Sequence, residues 1–258
     1  MIEVENLSKR YGEKLAVDGP DFVVQPGVVT GFLGPNGAGK STTMRMIASL
    51  DEPTAGRVRV NGRDYRAAPA PMAELGILLE AKAVHTGRSA RNHLLALAQT
   101  NGLSRRRVDE LIDIVGLTDV AGKRVGGFSL GMGQRLGIAS ALLGDPRVVV
   151  LDEPVNGLDP EGVLWVRNLL KGLAAEGHTV FVSSHLMSEM ALTAARLVVI
   201  GRGRLIADTT VEEFVARAGQ RGHRAHPAGG PAARAAARTR HHRDQRAVRR
   251  PARAGPDR

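Results

Sequence analysis

The stretch Gly34-Pro-Asn-Gly-Ala-Gly-Lys-Ser-Thr42 fits the pattern G-x-x-x-x-G-K-[ST] and lies between an apolar run, "VVTGFL", and a helical pattern, "STTMRMIASL". Glycines at this spacing let backbone N–H groups curve around a phosphate, at the positive end of the helix dipole. In this pattern Lys40 reaches the β- and γ-phosphate oxygens, and Ser41 ligates Mg²⁺. The predicted nucleotide contacts in this loop are Gly34, Pro35, Asn36, Gly37, Ala38, Gly39, Lys40, Ser41 and Thr42.

A second motif, "VVVLDEP" at Val148–Pro154, ends an apolar run with two adjacent carboxylates. Carboxylates at the end of a buried strand are costly unless a cation and a reaction use them. Beside a phosphate-binding loop, Asp152 is expected to hold the Mg²⁺ shell, and Glu153 to orient or deprotonate an attacking water. Taken alone, the motif is equally compatible with a strand that ends in solvent.

Short apolar runs alternate with helical patterns through residues 1–217, which is typical of crossover units and a largely parallel sheet. The first thirty residues alternate apolar and polar positions instead, as does "RVRVNG", and they predict an antiparallel sheet beside the parallel one. The expected fold class is therefore α/β, a P-loop NTPase core with a mostly parallel sheet and an N-terminal antiparallel β-subdomain. The predicted buried strands are "VVTGFL", "LGILL", "VVVLD", "TVFVSS" and "RLVVI".

The amino-acid composition of the chain excludes several classes of protein. Of the 258 residues, 43% are apolar, which suffices for a substantial core. The chain has no cysteine, which excludes a disulfide framework and a thiolate metal site. Because no apolar run approaches the roughly twenty residues that span a bilayer, and the N-terminus lacks a signal-peptide core, any membrane role is expected to be peripheral.

The net charge of +10 is concentrated at one end of the chain. Residues 218–258 contain eleven arginines and two aspartates and so account for +9 of it. The nearly neutral body, 1–217, gives no reason to expect nucleic-acid binding. Val248 is the only large apolar residue of the tail, so 218–258 are expected to be disordered.

These motifs stand in the order and at the spacing of one family. Residues 1–217 resemble the nucleotide-binding subunit of an ABC transporter, in which "GPNGAGKST" and "VVVLDEP" match the Walker A and Walker B motifs. The resemblance implies ATP and Mg²⁺ as cofactors. It also implies three catalytic residues, Lys40, Glu153 and the switch histidine, His185, in "FVSSH".

Three more positions take their roles from this resemblance. Tyr11, in "KRYGEKLAV", matches the aromatic residue that stacks on adenine, and Asp159, in "NGLDP", matches the D-loop aspartate. Glu80, in "GILLEAKAV", stands where the Q-loop usually has glutamine. A carboxylate can still approach Mg²⁺ or water but has no amide to donate, so coupling to a membrane partner is expected to differ.

"FSLGMGQR", residues 128–135, resembles the family's signature motif, which binds the γ-phosphate of ATP held by the other protomer. The resemblance implies a head-to-tail homodimer in which Ser129 and Gly131 grip the partner's nucleotide. Leu130 and Met132 replace the usual glycine and glutamine. Such substitutions resemble a subset of bacterial drug and antibiotic exporters, which favours export.

The predicted function is that of an ATP-hydrolysing subunit that drives a separate membrane permease from the cytoplasmic face of the cell membrane. Residues of about 81–145 would form the helical subdomain that carries the signature and contacts the permease. A soluble ABC-type ATPase acting on ribosomes or DNA is the alternative. A generic phosphate-loop kinase ranks last, because it would need neither the signature nor His185.

The tail admits three hypotheses: an inert extension, a polybasic segment that binds anionic lipids or nucleic acid, or a segment read out of frame. Arg, Ala, Gly and Pro, whose main codons begin with two G or C bases, make up most of residues 218–258. This composition favours the third hypothesis, with the shift after about Gly219.

We predict that a one- or two-base shift near the codon for Gly219 opens a longer frame with alternating apolar residues, which sequencing and translating the gene would reveal. ATPase activity should then be unchanged by deletion of residues 220–258. If both other frames are closed or polar, the polybasic hypothesis replaces this one, and the same deletion should weaken binding to anionic vesicles at low salt.

Overall fold

The computed structural model describes residues 1–80 and 84–224. The strands are β1 (Ile2–Tyr11), β2 (Lys14–Asp18), β3 (Phe22–Val24), β4 (Val29–Leu33), β5 (Ala55–Val60), β6 (Leu75–Leu78), β7 (Val148–Leu151), β8 (Thr179–Ser184), β9 (Arg196–Gly201) and β10 (Arg204–Thr210). The helices are α1 (Lys40–Ile47), α2 (Pro71–Glu74), α3 (Ala90–Thr100), α4 (Arg105–Ile114), α5 (Leu130–Leu142), α6 (Pro160–Ala175), α7 (Met187–Thr193) and α8 (Val211–Arg224).

The central sheet has six strands in the order β10-β9-β4-β8-β7-β6. All neighbours are parallel except the β9–β10 hairpin. The five apolar runs predicted to be buried strands form β4, β6, β7, β8 and β9, so the predicted α/β P-loop fold class is confirmed. β10 alternates partly buried and exposed positions, because among the described strands it pairs with β9 alone, at the edge of the sheet.

A second sheet is antiparallel and is built around β1, which pairs with β2, β3 and β5. These strands come from the alternating segments of the first thirty residues and from "RVRVNG", as predicted. Pro20 lies between β2 and β3, where its carbonyl oxygen accepts the N–H of Leu7 at 3.2 Å.

The core has a small aromatic centre within an aliphatic body. Phe22 of the antiparallel sheet packs against Phe32 of β4 and Phe181 of β8, with ring centroids 4.9 to 5.8 Å apart. All three rings are buried. These contacts between large side chains therefore join the two sheets. They involve β4 and β8, the strands that lead into the candidate site.

Helices α3, α4 and α5 pack against one another through buried aliphatic side chains, among them Leu94, Leu111 and Leu136. They lie within the stretch expected to form a helical subdomain, and α5 also packs on β6. None of the helices in residues 1–80 and 84–224 combines the length and apolar character of a membrane span.

The domain boundary predicted at residue 217 falls inside helix α8. Residues 1–215 form one compact unit, while the backbone of α8 continues to Arg224. The backbone of 218–224, within the tail expected to be disordered, is thus helical, and the disorder of that tail stays a prediction. The N–H of Glu213 donates to the Thr210 hydroxyl at 3.2 Å at the start of this helix. The rest of the predicted tail, 225–258, lies outside the described residues.

Packing between β6 and α5 supplies a stability prediction. A Cβ atom on Gly76 would overlap the carbonyl oxygen of Ala141 in α5. Gly76→Ala should therefore lower the free energy of unfolding by about 1 to 3 kcal/mol, the usual cost of overpacking. Gly172→Ala, at an exposed site in α6 with open space around the new atom, should raise it by about 0.4 to 1 kcal/mol. Urea denaturation of both variants measures the two free energies of unfolding. If the two substitutions changed that free energy equally, the packing of β6 on α5 would be contradicted.

Candidate functional site

The loop from Gly34 to Gly39 connects β4 to α1. Gly39 caps the helix with φ of 108°, and a Cβ atom there would lie 2.7 Å from the carbonyl oxygen of Ala16. Only glycine fits both the backbone angle and the space. The first N–H groups of a helix have no partner within it, so the start of α1 at Lys40 is suited to bind an anion.

Lys40 lies largely inside this loop, with 7% of its side chain exposed. Its Nζ donates a hydrogen bond to the carbonyl oxygen of Gly34 at 2.7 Å and lies 3.6 Å from Oε1 of Glu153. The ammonium is thus held between the loop and the carboxylate expected to activate water.

Asp152 accepts hydrogen bonds from two hydroxyl groups. Ser41 Oγ donates to Oδ2 at 2.5 Å, and Ser183 Oγ donates to Oδ1. The predicted metal ligands Ser41 and Asp152 are therefore adjacent, and both offer the oxygen atoms that Mg²⁺ prefers.

Glu153 has a left-handed backbone, with φ of 49°, which costs a non-glycine residue roughly 1 to 2 kcal/mol. Its N–H donates to Ser183 Oγ at 2.9 Å, and its carbonyl oxygen accepts from Gln134 Nε2 at 3.4 Å. His185 Nδ1 donates to Oε2 at 3.0 Å. The carboxylate therefore points toward both Lys40 and His185.

These side chains meet because β4, β8 and β7 are parallel neighbours, so their carboxyl ends lie at one edge of the sheet. A cavity of about 370 Å³ opens there. Its lining includes six of the predicted nucleotide contacts and both carboxylates: Asn36, Gly37, Gly39, Lys40, Ser41, Thr42, Asp152 and Glu153.

Several predicted site residues do not line this cavity, among them Tyr11 and Glu80; the others near it are Gly34, Pro35, Ala38 and His185. Tyr11 is about half exposed, and its hydroxyl donates to Asp51 Oδ2 at 2.6 Å. This hydrogen bond raises the pKa of Tyr11, while Arg45 and then Tyr11 lower the pKa of Asp51 to about 2. Glu80 is an exposed residue after β6. The predicted adenine and Mg²⁺ contacts of these two side chains remain predictions.

The signature residues and the D-loop aspartate cap helices outside the cavity. Ser129 Oγ accepts the N–H of Met132 at 3.2 Å at the start of α5. Asp159 Oδ1 accepts the N–H of Gly162 at 2.9 Å at the start of α6. Ser129 and Asp159 are exposed, and Gly131 is partly exposed. One chain therefore carries two further helix N-termini, those of α5 and α6, outside the cavity at its own phosphate loop.

Sequence reasoning missed several residues of the site. Ser183, fully buried in β8, joins Asp152 to Glu153, although its position just before "SH" offered a signal. The remaining cavity lining comes from the antiparallel sheet, the end of β6 and the β9–β10 turn, where no motif marks it: Lys14, Leu15, Ala16, Leu79 and Arg202.

Residues 17–156 match the profile of a protein family described as ABC transporter. The chain belongs to the ABC transporter family. The match covers the phosphate loop, the signature helix and both carboxylates. The family and the ATP-hydrolysing function predicted from the sequence are confirmed, and the alternative of an ATPase acting on ribosomes or DNA is not supported.

Relatives and solved structures agree with this assignment. The bacitracin transport ATP-binding protein BcrA of Bacillus licheniformis is 39% identical over 220 residues, which cover 84% of this chain and 72% of BcrA. The daunorubicin resistance ATP-binding protein DrrA3 of Streptomyces coeruleorubidus is 39% identical over 223 residues, which cover 84% of this chain and 71% of DrrA3. A solved ATP-binding subunit of an ABC transporter superposes with a TM-score of 0.77 at 28% identity, covering 86% of this chain and 95% of its own. The dimeric bacterial ABC transporter cassette MJ0796 superposes with a TM-score of 0.75 at 26% identity, covering 82% of this chain and 99% of its own.

Proposed function

We propose that this ABC ATPase powers an exporter of antibiotic-like compounds, acting with a separate membrane permease at the inner face of the cell membrane. The bacitracin transport and daunorubicin resistance relatives support export. Two copies pair head to tail around two Mg·ATP. The observation that carries the proposal is the convergence of Lys40, Asp152, Glu153 and His185 at one edge of the sheet, with the signature outside it.

In this proposal the phosphates of ATP bind along the 34–42 loop. The N–H groups at the start of α1 and the Lys40 ammonium neutralise the negative charge of the β- and γ-phosphates. Lys40 Nζ lies 3.6 Å from Oε1 of Glu153, so the ammonium that would bind the phosphates is next to the carboxylate that would activate water.

Hydrolysis is assigned to Glu153 and His185. Glu153 accepts a proton as water attacks the γ-phosphorus, and the bond between that phosphorus and the β–γ bridging oxygen breaks to give ADP and phosphate. His185 donates to Glu153 Oε2 at 3.0 Å, which orients the carboxylate. In this proposal its imidazole also contacts the γ-phosphate.

Ser41 and Asp152 are the residues that would hold Mg²⁺, since their oxygen atoms are adjacent and open to the cavity. The metal would neutralise negative charge on the phosphate oxygens. Glu80 is kept as a further candidate contact, carried by the family resemblance alone.

The dimer completes the site. Ser129 and Gly131 stand at the start of α5, and Asp159 at the start of α6, and all three are at least partly open to solvent. We assign them to contacts with the ATP bound by the partner subunit, around its γ-phosphate, because anions bind readily at such helix starts. The dimeric solved cassette supports this arrangement.

We predict that Glu153→Gln binds ATP with nearly normal affinity but hydrolyses it roughly 10² to 10⁴ times more slowly, because the amide cannot accept the proton of water. Phosphate release and fluorescent-nucleotide binding measure the two effects. The variant should also accumulate an ATP-bound dimer, which light scattering detects. Glu176→Gln, at an exposed position after α6, is the control and should behave as the wild type. Near-normal hydrolysis by Glu153→Gln would remove Glu153 from this role.

We also predict that mixing Lys40→Ala with Ser129→Arg chains restores partial ATPase activity, well above the sum of the separate variants. A mixed dimer has one site free of both changes, because Lys40 and Ser129 act on the same ATP from different chains. Mixing Lys40→Ala with Glu153→Gln is the matched control and should restore nothing, since both residues serve the nucleotide of their own chain. Equal recovery in both mixtures, or none in either, would contradict the shared site.

A further inference from the structure

Ser183 makes two hydrogen bonds that connect the adjacent carboxylate residues. Its hydroxyl donates to Oδ1 of Asp152 and accepts the N–H of Glu153 at 2.9 Å. The side chain is fully buried at the end of β8. A hydroxyl has one proton and two lone pairs, so both bonds form at once from a single atom.

These bonds fix how Asp152 faces the cavity. Oδ1 is turned toward Ser183, which leaves Oδ2 toward Ser41 at 2.5 Å and toward the phosphate loop. The rotamer of the carboxylate therefore depends on a partner on the neighbouring strand. Outer hydrogen bonds of this kind orient the residues that ligate a metal.

The second bond acts on the backbone of Glu153. That residue has φ of 49°, and its N–H points back to β8. Because an unpaired buried N–H is costly, the Ser183 oxygen favours this conformation over an extended one. The same hydroxyl thus orients the expected metal ligand and the expected general base.

We propose that Ser183 is a positioning residue for magnesium-dependent nucleotide binding and hydrolysis, acting through Asp152 and the backbone of Glu153. The inference rests on the proposed function, since it requires that Asp152 holds Mg²⁺. Nothing in the role requires Ser183 to touch ATP, the metal or the attacking water.

Ser184 offers a matched control on the same strand. It too is a fully buried serine, but its hydroxyl donates to Glu189 Oε2 at 2.9 Å and accepts the N–H of Leu186 at 2.9 Å. Removing either hydroxyl leaves two polar groups without that partner, so the two alanine variants should lose similar thermal stability. Only Ser183→Ala is expected to change the response to Mg²⁺.

The experiment measures the dissociation constant of a fluorescent ADP analogue in EDTA and at rising Mg²⁺ concentrations. For Ser183→Ala we expect an unchanged constant in EDTA and a Mg²⁺ requirement raised about ten- to hundredfold, the usual cost of losing a residue that orients a metal ligand. The ATPase reaction should need the same additional Mg²⁺. Ser183→Thr, which keeps the hydroxyl, should restore the response, and Ser184→Ala should retain it.

The inference is overturned if Ser183→Ala keeps the wild-type Mg²⁺ requirement, or if Ser184→Ala raises it equally, which would indicate general damage to the end of β8. If Ser183→Ala does not fold, Ser183→Cys, with a side chain of similar size and a weak donor, carries the same measurement and the same criteria. A wild-type protein whose ADP binding does not respond to Mg²⁺ would overturn the proposed metal site itself.

Discussion

The parallel alignment of β4, β8 and β7 is the constraint on which the candidate site depends. Parallel neighbours bring their carboxyl ends to one edge, so the phosphate loop, the two carboxylates and His185 converge although they are far apart in sequence. The alignment in turn depends on buried side chains on both faces of the sheet, among them Phe32 and Phe181 on one face and Leu33 and Val182 on the other. The strands that bring the site residues to the edge of the sheet are therefore the same strands that pack in the core.

The sequence predicted those parts of the site that local chemistry marks. The strand, the glycine loop and the helix after it are consecutive, and the pair Asp152 and Glu153 follows an uninterrupted apolar run. Residues defined by neighbours across the sheet were not predictable in this way. The position of Ser183 just before "SH" is a weak local signal, and its importance follows from the register that places β8 beside β7.

Tyr11 shows what a sequence motif leaves open. Its place in the chain matches an adenine contact, which remains a prediction, and its hydroxyl bonds to Asp51, which also binds Arg45 at 2.9 Å. A motif identifies a residue type at a position, but competing partners from other elements decide where the side chain points. Similarly, the backbone of α8 extends past the change in composition at residue 217, although Gly219 and Gly222 disfavour a helix there.

The contact between Leu130 and Gly157 has an evolutionary consequence. Gly157 has a left-handed backbone, with φ of 76°, which asparagine and aspartate also tolerate, but any Cβ atom there would overlap the Leu130 side chain. With a leucine in the signature, any residue other than glycine at position 157 thus requires the half-exposed Leu130 side chain to turn away. The two positions are therefore coupled, and a substitution at one of them is accommodated only by a rearrangement at the other.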